Sequence, residues 1–165
     1  MKSVIGIIES ISEWSGRATS FLVWIGAIML SWEVVARYFF GAPTVWAHGY
    51  SQRLFGTYFI LVGAFTLLRN GHVRIDLIIS RFSPRKRHMF DLLNMGFLML
   101  WSAVLVIEGW QFFMNSYQVR EVDEMVLRHP VYPYKFVLFV GAILIFLQAT
   151  ASAAKSIASL GKGNQ

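Results

Sequence analysis

Residues 136–154 form a run of nineteen positions without a single Asp, Glu, Lys or Arg. Coiled as a helix, such a run rises about 28 Å, close to the ~30 Å hydrocarbon core of a bilayer. In lipid, backbone N–H and C=O groups must be satisfied inside the segment, which favours a spanning helix. Three further apolar blocks precede it. The predicted fold is an all-α integral membrane protein, a single domain over residues 1–165. Its four transmembrane helices fall at about 17–40, 52–69, 89–113 and 135–154. A hydrophobic content of 56% agrees, since soluble domains reach about 45–50% even with glycine counted.

Orientation follows from the stretch 69–91 between the second and third blocks. It carries Arg69, Arg74, Arg81, Arg85, Lys86 and Arg87 against only Asp76 and Asp91. Short basic loops stay in the cytoplasm, so both termini are expected there, with Lys155 and Lys162 on the same side. The last outer loop holds Glu121, Asp123 and Glu124 against Arg120 and Arg128. The net charge of +6 is concentrated in the basic loop. Arg81, Arg85, Lys86 and Arg87 are therefore read as facing membrane lipids, not nucleic acid.

Two amphipathic segments are expected to lie flat on the inner surface. In residues 1–14, Val4, Ile7, Ile8, Ile11 and Trp14 recur at steps of three and four. In residues 74–82, Ile75, Ile78, Ile79 and Phe82 share a face. Ser83-Pro84 then reads as an N-cap with a first-turn proline opening the third span.

The uncharged stretch 18–32 is too short to cross a bilayer, so the first helix must continue through Glu33 and Arg37. Those two stand four apart, acid before base. Arg53 lies at the outer start of span two and Glu108 late in span three. All four fall at a similar outer depth, which predicts a structural ion-pair network of Glu33, Arg37, Arg53 and Glu108 between helices. On this reading, Glu33→Gln and Glu108→Gln impair assembly more than they alter pH dependence. The competing reading is a stand-alone four-span antiporter that couples to protons through Glu33.

Other chemistries find no footing. Without cysteine there is no thiolate nucleophile or sulfur-ligated metal. His48, His72, His88 and His129 fall in or beside loops, where they cannot hold a transmembrane haem. No phosphate-binding glycine-lysine loop, catalytic triad or secretory signal peptide is recognisable. No enzyme activity, metal or cofactor is expected. Gly56, Gly63 and Ala64 on span two suit close helix contact. The spans lack the paired broken helices of a substrate pathway, so the chain reads as a partner for a larger membrane protein.

Two segments carry a family resemblance. One is Glu33-Val-Val-Ala-Arg37-Tyr-Phe-Phe, followed by Ala42-Pro43-Thr44-Val45-Trp46; the other is Arg69-Asn-Gly71-His72-Val73-Arg74-Ile75-Asp76. Together with Gly63-Ala64, Pro133, Gly141 and Gln148, they resemble the DctQ-like small membrane subunit of tripartite ATP-independent periplasmic (TRAP) transporters. The resemblance implies a bacterial inner-membrane protein that scaffolds a large membrane subunit. A periplasmic solute-binding protein would deliver an organic acid or similar solute, taken up on an ion gradient. It also implies a partner interface at Arg37, Pro43 and Trp46 outside and at His72, Arg74 and Asp76 inside. The family typically has a carboxylate shortly after the tryptophan, where this chain has Ala47, His48 and Gly49.

Overall fold

The computed structural model describes residues 2–69, 84–124 and 128–162, with side chains described for 4–69, 90, 93–124 and 128–155. Four helices make up the described chain: α1 (Lys2–Phe39), α2 (Ala47–Leu68), α3 (Pro84–Gln118) and α4 (Tyr132–Lys162). Each contains a segment long and apolar enough to cross a membrane: Val4–Phe39, Ala47–Leu68, Leu93–Gln118 and Tyr132–Lys155. Two connections, 40–46 and 119–131, lie at one end of the bundle, here the loop end. The start of α1 and the end of α4 lie at the other, the terminal end. The only pairing outside the helices, among the described residues, is an isolated antiparallel bridge between Val122 and Pro130.

Packing runs α1 on α2, α2 on α4 and α4 on α3, with a lesser contact between α1 and α4. The buried positions are small or polar: Ala36, Ala64, Ala142, Ala149, Ser12, Thr19, Ser102 and Gln148 among them. Large apolar side chains such as Trp24, Phe59 and Phe97 point outwards. Lipid makes this arrangement stable. Its tails solvate Phe and Trp, so association depends on close backbone approach and interhelical hydrogen bonds. A Cβ added to Gly141 would stand 3.1 Å from the Ile60 carbonyl oxygen, and one on Gly63 would meet the Ile145 side chain at 2.8 Å. Ala64 is fully buried beside Gly63, which thus serves the close helix contact expected of it. Gly56 does not; a Cβ there would meet nothing within 4 Å.

Residues 2–14 do not form a separate surface helix. They are the first turns of α1, whose 38 residues rise about 57 Å. The polar side of this segment faces inwards: buried Ser12 donates a hydrogen bond to Gln148 Oε1 on α4 at 2.9 Å, and Glu9 pairs with Lys155. The stripe Val4, Ile7, Ile11 and Trp14 is left outside, Trp14 being 72% exposed. Bundle contacts therefore lift the segment into line with the span. The expected surface helix at 74–82 and its Ser83 cap lie outside the described residues. α3 does begin at Pro84, as a first-turn proline requires.

Candidate functional site

The loop end holds two clusters of charged side chains. α1 stops at Phe39, Gly41 adopts φ +60, and the Ala42 N–H donates to the Ala36 carbonyl at 3.0 Å. This reversal brings Thr44 back over the last turns of α1. Glu33 Oε1 accepts from Arg37 Nε at 3.2 Å and Nη2 at 2.6 Å. Glu33 Oε2 accepts from the Thr44 N–H at 3.1 Å and from the Thr44 hydroxyl. The Glu33 side chain is 12% exposed while Arg37 is 55% exposed. The carboxylate therefore ties the loop after α1 to the helix it leaves, and Arg37, in the last turn, also suits the negative end of the helix dipole. Pro43 and Trp46 follow in the same connection, Trp46 standing edge-on to Tyr50 with ring centroids 6.3 Å apart.

The second cluster pins the connection 119–131 to α2. Arg53 pairs with Asp123, the two side chains being 12% and 13% exposed, and its guanidinium lies 4.9 Å from the Tyr134 ring centroid. Asp123 Oδ1 accepts the His129 N–H at 3.1 Å, and the Asp123 N–H donates to the His129 carbonyl at 2.9 Å. The Tyr50 hydroxyl meets His129 Nε2 at 3.0 Å. Glu121 pairs with Lys135 at the start of α4, and Lys135 Nζ also lies 3.8 Å from the Phe112 ring centroid on α3. The Lys135 ammonium holds the Glu121 carboxyl below the usual carboxylate range. Below these pairs, a crevice of about 280 Å³ opens between α2, α3 and α4, lined by Gly56, Ile60, Phe112 and Leu138.

The four charges expected to form one network are thus divided. Glu33 and Arg37 form a local pair on one helix, and Arg53 is committed to Asp123. Glu108 has no hydrogen-bond or ion-pair partner among the described residues and is exposed on α3. Depth did not imply proximity, because α3 is packed on α4 and away from the α1–α2 pair. Thr44 and Asp123, the partners that complete both clusters, lie in connections whose path the spans do not fix. Thr44 at least follows Pro43 directly, whereas Asp123, seven residues before Pro130, carries no such signal. His72, Arg74, Asp76 and Arg81 lie outside the described residues. Arg85, Lys86 and Arg87 occupy the first turn of α3, their side chains also outside the description.

At the terminal end, Glu13 pairs with Arg17 at 2.7 Å and with Arg69 after α2. With Glu9–Lys155 and Ser12–Gln148, this ties α1 to both α2 and α4. Every one of these cations already has a carboxylate. The arrangement links the helices and, among the described residues, offers no run of free titratable groups from end to end.

No curated protein matches the chain. The family model described as tripartite ATP-independent periplasmic transporters, DctQ component, matches residues 26–159, from the middle of α1 almost to the end of α4. The chain therefore belongs to the DctQ family of small TRAP-transporter permease subunits, multi-pass membrane proteins built on four apolar helices.

Proposed function

We propose that this chain is a passive scaffold of the bacterial inner membrane. It pairs with the large membrane subunit of its transporter, and that subunit moves an organic acid or similar solute on an ion gradient after delivery by a periplasmic binding protein. The observation that carries the reading is the state of Glu33. A proton-coupling carboxylate must be free to exchange its partner, and this one is held by Arg37 and by both donors of Thr44. The reading leaves the competing stand-alone antiporter without its working residue.

The terminal end faces the cytoplasm on this reading, because α3 opens there with Arg85, Lys86 and Arg87, and such a basic cluster favours the anionic inner leaflet. The loop end then faces the periplasm, where Arg37, Pro43 and Trp46 brace the outer part of the assembly. His72, Arg74 and Asp76 brace its cytoplasmic part. Uptake by liposomes tests the scaffold role. The chain alone should give no flux above empty vesicles, and solute should accumulate only with the large subunit, the binding protein and an ion gradient together. Flux from the chain alone, abolished by Glu33→Gln, would establish the antiporter instead.

A further inference from the structure

Of the acids on the four helices whose side chains are described, Glu9, Glu13 and Glu33 each hold a cation of this chain. Glu108 holds none among the described residues, and it is exposed. Its depth makes that costly. The adjoining Gly109 packs on Phe139, where a Cβ would stand 3.6 Å from the Phe139 Cα. Phe139 lies one turn inside Lys135, within the uncharged run 136–154 that matches the thickness of the hydrocarbon core. Glu108 therefore projects from α3 at a level where lipid tails, not water, would surround it.

It is also not alone. Glu108, Gln111, Asn115 and Gln118 recur at steps of three, four and three, and all four are exposed. They form a polar ladder climbing one face of α3 towards the loop end. The buried residues of the same helix, Ser102, Gly109 and Ser116, lie on another face. Towards the terminal end the ladder continues as Val104, Trp101 and Phe97, also exposed. Lipid tails cannot answer a carboxylate with amides above it, whereas a neighbouring helix with complementary side chains can.

We infer that this face of α3 docks a helix of the large membrane subunit, which places a cationic side chain opposite Glu108 and hydrogen-bonding side chains along the ladder above it. The inference rests on the scaffold reading and names the surface that reading needs. Charge complementarity selects the occupant: at this depth a parallel second copy of this chain would bring Glu108 itself or, among the described residues, the already paired Arg37, Arg53 and Lys135, and lipid would bring no charge.

The test uses the full-length chain co-expressed with the large subunit of its own transporter, a photo-crosslinking amino acid replacing Gln111 in one variant and Phe21, on the outward face of α1, in another. Crosslinks to the large subunit are expected from position 111 and not from position 21. Glu108→Lys and Glu108→Leu should each lower the recovered complex at least tenfold, with Glu108→Gln intermediate. The free chain should keep its helical content and thermal midpoint in all three, because Glu108 has no partner among the described residues. A complex recovered at full yield with Glu108→Lys would overturn the inference while leaving the scaffold reading intact, as would crosslinks from position 21 only. Crosslinks from position 111 to a second copy of the chain would overturn it in favour of a homodimer. No complex with the unmodified chain would remove the scaffold reading itself.

Discussion

Arg53 shows how far a single residue can be read before its surroundings are known. Its position at the outer start of a span marked it as a charge needing a partner, and the partner proved to be Asp123 in the connection 119–131. Both side chains are largely buried, so removing one strands the other. Arg53→Met alone should destabilise the protein by about 3 kcal/mol, read as detergent-solubilised thermal unfolding. Arg53→Met with Asp123→Leu should recover most of that loss, because the cost lies in the unpaired charge. Glu121 behaves differently, being half in solvent. Its carboxyl is held below the usual range by Lys135, so the folded state takes up its proton at lower pH than the unfolded chain does. The pair's stabilisation is therefore full above the unfolded carboxyl value of about 4.3 and is lost as pH falls through the lower folded value. Thermal midpoints measured from pH 6 to pH 3 should show this decline in the native chain, and Lys135→Met should lack that component. Identical slopes in the two proteins would refute the assignment.

At the scale of helices, the glycines distinguish contact from mere composition. Gly56 and Gly63 are equivalent in sequence, two turns apart on α2, yet Gly63 meets Ile145 and Gly56 borders the open crevice. The closest approach to another helix's main chain is at Gly141, against the Ile60 backbone. Gly56→Ala should therefore gain up to about 1 kcal/mol from helix propensity. Gly141→Ala should lose about 1–3 kcal/mol to overpacking, since Ile60 presents main chain there and cannot rotate aside. Opposite signs in thermal unfolding check the distinction. α1 carries the same lesson in another form. Its apolar stripe was correctly legible as helical, but periodicity alone cannot tell a helix lying on a membrane from one standing in it. The buried Ser12–Gln148 hydrogen bond and the Glu9–Lys155 pair, 136 and 146 residues apart in the chain, decide between them.

Across the whole molecule, the proposed orientation is open to direct measurement because the chain contains no cysteine. A single cysteine replacing Glu124 should react with a membrane-impermeant maleimide in intact cells, and one replacing Ser10 should react only after the membrane is opened. The reverse pattern would invert the topology and move the interfaces assigned to each face. The number of spans and their helical character were both written in the sequence, because transfer into lipid is a sum over residues in a continuous window. Which charges meet was not. Glu33, Arg53 and Glu108 share a depth but stand on helices that pack in the order α1, α2, α4, α3, and only that order assigns Glu33 to Thr44, gives Arg53 to Asp123 and leaves Glu108 facing outwards. Depth is a one-dimensional property that hydropathy records; azimuth around the bundle comes from contacts between residues far apart in the chain, and it exists only once the helices have packed.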